Sequence, residues 1–348
     1  MKKHVRAIVF TGANEVELRE IALPACGPKH VVCETIYSFV SPGTELRVLS
    51  GAQESKSKFP LIPGYSWVGR VIEIGSELTG WKEGDLVTGR GGHPIEGLTN
   101  MWGGQASHHR ADVTNTVLKL PDDADPWSYT PLEVSAIAWR GVSMAFPAPG
   151  ETAVVIGQGL IGAFNALWLV HHGARVIAVD LVESRLARAR KWGAAATVNP
   201  KDTDAREAIL RLVPGGADIV VESSSSKPGV ELANAVVRQP ASNAVRTNYP
   251  VAELHGNPHF WPRLVYQATY THRHEVDPGG LSGGEGTLVL KPGDRTVGDR
   301  LQAMELIRQG KICMADIAAS PTPVEEATDA YFRLRDEPGK YNTVVYEW

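Results

Sequence analysis

Cysteine is nearly missing from this 348-residue chain: Cys26, Cys33 and Cys313 are the only three, and no two form a CxxC pair. An odd, scattered set supports neither a disulfide framework nor a cysteine-rich zinc site, and it fits a reducing cytoplasm. Any run of about 18 apolar residues, the length a membrane helix needs, is also absent. The opening MKKHVRAIVF is basic but lacks the apolar stretch of a signal peptide. Nor is charge of one sign in excess. With 35 basic and 39 acidic residues the formal charge is −4, which leaves no electrostatic footprint for nucleic acid or an anionic membrane. The expectation is a cytoplasmic protein with a small-molecule partner and neither nucleic acid nor membrane.

The length favours two domains, since single cores stop growing near roughly 250 to 300 residues. From Val5 to about Leu120, short alternating runs such as RAIVF, HVVCETIY and WVGRVIEIG are separated by Gly, Pro, Asn and Asp, the pattern of short strands. One short helix around Thr44 to Ser50 fits the same class. From Asp125 the spacing turns helical, and after the joint PAPG apolar runs alternate with amphipathic stretches, the βαβ signature of a parallel sheet. Residues 249–294 lose this regularity and have no clear assignment. RLQAMELIRQG and VEEATDAYFRLRD then predict helices, and YNTVVYEW a strand.

The sharpest motif is Gly157-Gln158-Gly159-Leu160-Ile161-Gly162, directly after the strand-like AVVI and opening a helix, with Asp180 following 18 residues beyond Gly162. The first glycine makes a tight turn, the second lets backbone approach a pyrophosphate, and the third lets helix and strand pack closely. A helix N-terminus then offers free N–H groups to phosphate. Asp180 would take the adenosine ribose hydroxyls and repel a 2′-phosphate, so NAD(H) is expected over NADP(H). Gly157, Gly159, Leu160, Gly162, Asp180 and Arg185 are the expected cofactor contacts, with Arg185 beside the adenine or ribose.

Over nearly its whole length the chain resembles the medium-chain dehydrogenase/reductase superfamily, through GYSWVGRVIEIG followed by GDLV, GGQASHH, PLEVSAIAWRG, VVIGQGLIG and the terminal VEEATDAYFRL…GKYNTVVYEW. The resemblance implies an α/β protein with a GroES-like β-rich catalytic domain at 1–125, a Rossmann domain at 126–285, and a segment at 286–348 that returns to the catalytic domain. It further implies a cleft between the domains and a homodimer or homotetramer. Many members hold a catalytic zinc through a cysteine, a histidine and a third ligand before a Pro-Leu pair. Those places read Pro42, Tyr65 and Thr130 here, none a good zinc ligand, so no metal is expected. Glu45 and Glu133 alone would make a poor zinc site. The SPGTE turn, Ser41 to Glu45, resembles a zinc-lacking subgroup that includes the bacteriochlorophyllide dehydrogenases.

Without zinc, side chains must handle the substrate oxygen while hydride moves between a carbinol carbon and nicotinamide. Thr44 stands where relatives relay the alcohol proton, and Tyr65 could hydrogen-bond the same oxygen. The plainer alternatives are a Tyr65 that packs with its hydroxyl satisfied and a Thr44 that caps the helix following it. Glu45 would orient a donor or merely lie at a helix start. His93, His108, His109, His255, His259, His272 and His274 form no metal-binding pair, and 272–274 are expected to face solvent. Trp67, Trp102, Phe260 and Trp261 could line a pocket or pack in the core. The function expected is a zinc-independent, NAD-dependent alcohol dehydrogenase or ketone reductase acting on a polar cyclic or sugar-like biosynthetic metabolite. A quinone or enoyl reductase and a non-catalytic dinucleotide-binding protein remain the alternatives.

Overall fold

The structure is a computed structural model that describes residues 3–52, 57–92, 95, 97–114, 116–238, 261–270, 273, 274, 276 and 287–348. It divides into two units, Met1–Val134 with Arg300–Trp348, and Ser135–Asp299.

The first unit begins with an antiparallel hairpin of β1 (Lys3–Gly12) and β2 (Glu15–Leu23). Its turn places Asn14 at φ 59, a left-handed position that asparagine tolerates. In β2, Val16, Ile21 and Leu23 are buried while Glu15, Glu17, Arg19 and Glu20 are exposed, the mark of a strand with one face in water. β3 (His30–Phe39) leads into α1 (Pro42–Leu49), where Ser41 stands at the N-cap and Pro42 opens the helix with its φ already set. Glu45 in the first turn and Arg47 in the last complement the helix dipole, and Gly51 at φ 76 lets the chain turn away after it. Then come β4 (Leu61–Ile62), β5 (Trp67–Ile74), β6 (Leu86–Gly89), β7 (Thr99–Asn100), β8 (His108–Asp112) and β9 (Val117–Lys119). α2 (Leu132–Met144) follows.

The second unit contains β10 (Thr152–Ile156), α3 (Leu160–His171), β11 (Arg175–Val179), α4 (Glu183–Lys191), β12 (Ala196–Val198), α5 (Ala205–Leu212), β13 (Ile219–Glu222), α6 (Lys227–Val236), β14 (Arg263–Tyr266) and β15 (Leu288–Leu290). Among the described residues its strand pairs are all parallel, in the order β12-β11-β10-β13-β14-β15. That is the doubly wound order of a Rossmann sheet, whose ligands sit at the carboxyl ends of the strands where the order reverses. Val154, Ile177, Val220 and Leu264 fill its core without solvent contact, each worth about 1.5–3 kcal/mol on burial.

The chain then rejoins the first unit through α7 (Val297–Arg308), β16 (Thr322–Pro323), α8 (Ala327–Asp336) and β17 (Val345–Glu347). There β17 pairs with β3 in a sheet ordered β16-β17-β3-β5-β6-β9, with β8 also on β3. Tyr331 of α8 packs with Phe10, Val48, Leu49 and Tyr346, and this core supports α1 from behind. No helix among the described residues is long and apolar enough to cross a membrane.

Candidate active site

In the first unit the three turns that carry the catalytic candidates come together. Ser41 caps α1 by position, yet its side chain makes no capping hydrogen bond. The Tyr65 hydroxyl instead donates to Ser41 Oγ at 2.6 Å. Tyr65 is buried, and its ring meets Trp102 edge-on with centroids 5.3 Å apart. Behind this pair lies Glu45, only 1% exposed. One of its oxygens accepts from the Ser41 N–H at 2.7 Å, and the other accepts from the Tyr331 hydroxyl at 2.6 Å and from Gln105 Nε2 at 3.2 Å. The network continues as the Ser38 hydroxyl donates to Gln105 Oε1 at 2.6 Å and the Trp348 indole N–H donates to Ser38 at 2.7 Å. Burial pushes the Glu45 carboxyl up to about 7, although the Tyr331, Ser41 and Gln105 donors each pull it back.

Thr44 sits half-buried in the first turn of α1, one position before Glu45, so the capping position belongs to Ser41 and not to Thr44. Among the described residues no hydrogen bond holds the Thr44 hydroxyl. One turn on, Arg47 is half-buried, and burial holds its guanidinium below the usual value with Tyr65 as its charge neighbour. A positive charge there favours negative charge on a nearby oxygen. The Ser66 hydroxyl donates to the Thr130 carbonyl at 2.8 Å, which ties the two turns. The Thr130 hydroxyl in turn donates to the Trp127 carbonyl at 2.9 Å. Glu133 is committed elsewhere, in a fully buried ion pair with Arg300 at 2.7 Å.

A family zinc does not fit this donor set. Pro42 offers no donor atom, and Tyr65 and Thr130 offer neutral hydroxyls already engaged in hydrogen bonds. No three of His, Cys, Asp and Glu converge among the described residues.

The structure decides one open expectation from the sequence and adjusts another. Of the two readings open for Trp67, a pocket wall or the core, the structure takes the core: Trp67 is 0% exposed, donates its indole N–H to the Gly91 carbonyl at 2.9 Å and stacks on His109 at 4.2 Å. Burial drives His109 down to about 3, so its ring is neutral. Of 272–274, expected to face solvent, His274 is only half-exposed, with its ring edge-on to Tyr270 at 5.3 Å. Arg273 beside it is exposed. His93, His255, His259, His272 and Phe260 lie outside the described residues.

In the second unit the glycine motif has the geometry its spacing implies. Gly157 follows β10 at φ 84, and a Cβ on Gly162 would stand 1.7 Å from the Gly157 carbonyl oxygen, so the turn can close only with glycine. Gly159 has nothing within 4 Å of its missing Cβ, the opening that lets a ligand reach the backbone. Leu160 starts α3 immediately after it, where the first N–H groups of a helix have no partner within the helix. Asp180, just past β11, accepts the Gln158 N–H at 2.6 Å and the Val182 N–H at 2.8 Å, and Arg185 Nη1 lies 3.7 Å from it. These features fit a dinucleotide: phosphates at the start of α3 and ribose hydroxyls at Asp180.

Sequence reasoning missed several groups here. Arg188 donates to the Gln158 carbonyl at 2.6 Å and so braces the glycine turn from below. Glu222 ends β13 fully buried, accepting the Ser224 and Ser225 N–H groups and the hydroxyls of Ser224 and Tyr270. A carboxylate ending the VVE run was the available signal. Its partner Tyr270 is 48 residues away and had none.

Comparison with known proteins agrees with both units. Residues 27–122 match the Alcohol dehydrogenase GroES-like domain family, and residues 161–244 match the Zinc-binding dehydrogenase family. An alcohol dehydrogenase of Moraxella sp. is 26% identical, over 64% of this chain and 71% of that protein. D-xylulose reductase A of Aspergillus oryzae is 29% identical, over 96% of this chain and 94% of that one. The crystal structure of a short chain alcohol dehydrogenase from Escherichia coli, complexed with cofactor NADH, superposes with a TM-score of 0.81 at 16% identity and covers 99% of both chains. With a GroES-like unit, a Rossmann unit and a match to each, the chain belongs to the medium-chain dehydrogenase/reductase superfamily.

Proposed function

We propose that this protein is a cytoplasmic, NAD(H)-dependent oxidoreductase that interconverts a secondary alcohol and a ketone by hydride transfer without zinc. Its substrate class is a polar, polyhydroxylated or cyclic metabolite. The observation that carries the reading is the Tyr65 hydroxyl, hydrogen-bonded at the head of α1 in the place of a zinc ligand. A nicotinamide dinucleotide held at the start of α3 and at Asp180 would supply the hydride-accepting and hydride-donating chemistry. The substrate oxygen must then be held as its charge changes, and a neutral tyrosine O–H is a donor suited to that task. Thr44, whose hydroxyl is uncommitted, is the second donor, and Glu45 supports both from beneath through the Ser41 backbone. The names of the Moraxella and Aspergillus relatives support alcohol and polyol chemistry.

Asp180 supports NAD(H) because its carboxylate accepts ribose hydroxyls, while a 2′-phosphate would meet its charge. Arg185, 3.7 Å away, offsets that charge only in part. Titration of the purified protein with NADH and with NADPH, followed by nucleotide fluorescence, tests this choice. The expected result is tighter NADH, with the preference lost in Asp180→Ala. Tighter NADPH contradicts it. A homodimer or homotetramer belongs to the same reading and is supported by β15, the edge of the sheet among the described residues, where Leu288 and Val289 are exposed. Light scattering of the eluted protein reads the mass directly.

A further inference from the structure

We infer that Ser41 is a positioning residue whose hydroxyl aims Tyr65 at the substrate oxygen. The inference rests on Tyr65 as the donor proposed above. Serine at an N-cap ordinarily turns its oxygen to a free N–H of the first helical turn. Ser41 occupies that position without doing so, and its oxygen is met by the Tyr65 hydroxyl at 2.6 Å. The helix therefore forgoes its side-chain cap, and the Ser41 carbonyl alone takes the Thr44 and Glu45 N–H groups, at 3.1 and 2.9 Å. Glu45 fixes the serine from the other side by accepting its backbone N–H at 2.7 Å. Ser41 is thus held at its backbone while its side chain remains dedicated to Tyr65.

Two hydroxyls in contact can exchange donor and acceptor roles by rotation about their C–O bonds. In the resting arrangement Tyr65 donates to Ser41. With a substrate oxygen present, Ser41 donates to the phenolic oxygen and Tyr65 turns its proton to the substrate, a chain in which each bond strengthens the next. No proton changes its owner in this step. Arg47, the charge neighbour of Tyr65, favours the electron density that such a chain draws onto the phenolic oxygen.

The test is a double-mutant cycle on the full-length protein with NAD and the secondary alcohol that the wild type oxidises fastest among xylitol, sorbitol, myo-inositol and butane-2,3-diol. Ser41→Ala is expected to lower kcat by about tenfold with KM nearly unchanged, the scale of one lost hydrogen bond. Ser41→Thr, which keeps the hydroxyl, should restore most of the rate and guards against a folding defect in the alanine variant. In a Tyr65→Phe background, Ser41→Ala should add nothing further, because the serine acts only through the phenol. An unchanged kcat in Ser41→Ala overturns the inference while leaving Tyr65 in place, and so does a rise in KM alone or a full additive loss in the phenylalanine background. Inert Tyr65→Phe, or no oxidation of any of the four alcohols by the wild type, overturns the functional reading and this inference with it.

Discussion

Tyr65 and Glu45 are two buried polar groups that meet Ser41 from opposite sides, one at its hydroxyl and one at its backbone N–H. Tyr65→Phe removes the hydroxyl proposed to hold the substrate oxygen but keeps the ring against Trp102, so kcat/KM should fall roughly 100-fold, about 2.7 kcal/mol. NADH affinity should stay within about twofold, which initial rates and fluorescence titration separate. Glu45 also bears on stability. A carboxyl whose folded pKa of about 7 lies above its ordinary 4.5 binds its proton more tightly in the folded protein. The resulting stabilisation is complete below pH 4.5 and lost as pH rises through 7, a change on the order of 3 kcal/mol. Urea unfolding at pH 5 and pH 8 should therefore show a smaller difference between the two pH values in Glu45→Gln than in the wild type. A difference of equal size in both proteins places the titration elsewhere. Tyr65 was legible in the sequence because it interrupts a familiar metal-ligand pattern. Its setting was not: Ser41 lies 24 residues from Tyr65, and Gln105 and Tyr331 lie 60 and 286 residues from Glu45. Hydrogen bonds across such separations leave no periodic trace in the chain.

Helices and strands carried their own signals where period and punctuation agreed. Pro42 and Gly51 bracket α1, and Gly157 with Gly159 and Gly173 brackets α3 in the same way. The reading stayed open where burial depends on partners distant in sequence, as with Trp67, which β5 carries into a core closed by His109 of β8. Residues 249–294 gave no pattern because aromatic, histidine and glycine runs there share no period. At this scale the glycine turn makes a direct prediction. Gly162→Ala brings a methyl group against the Gly157 carbonyl, which must shift. The variant should melt several degrees lower, as expected for a loss of about 1–3 kcal/mol by overpacking. Its NADH affinity should fall at least tenfold. Calorimetry and titration check the two effects, and an unchanged affinity would mean that the turn does not hold the pyrophosphate.

The change from alternating runs to βαβ spacing made the two-part plan of the whole chain legible. Its reclosure, in which the C-terminal strand pairs with β3, followed from the superfamily resemblance alone. Arg300, the first residue of the returning segment, donates to Glu133 and to the Thr88 and Thr116 carbonyls, and so joins distant stretches of one unit. Arg300→Met takes the paired guanidinium away from buried Glu133 and should cost about 3–5 kcal/mol in urea unfolding. The double variant Glu133→Leu/Arg300→Met should recover much of that, because no lone charge remains. The central claim, metal-independent alcohol oxidation with NAD, is tested most directly by absorbance at the reduced-nicotinamide band. The assay contains purified protein, NAD, excess chelator, and a panel of sugars, cyclitols and simple secondary alcohols. NADH should accumulate with a panel member despite the chelator, and the rate should fall in Tyr65→Phe. NADH that appears only after zinc is restored would contradict the account. Silence on every alcohol, with NADH oxidised by quinones or enones instead, would contradict it as well.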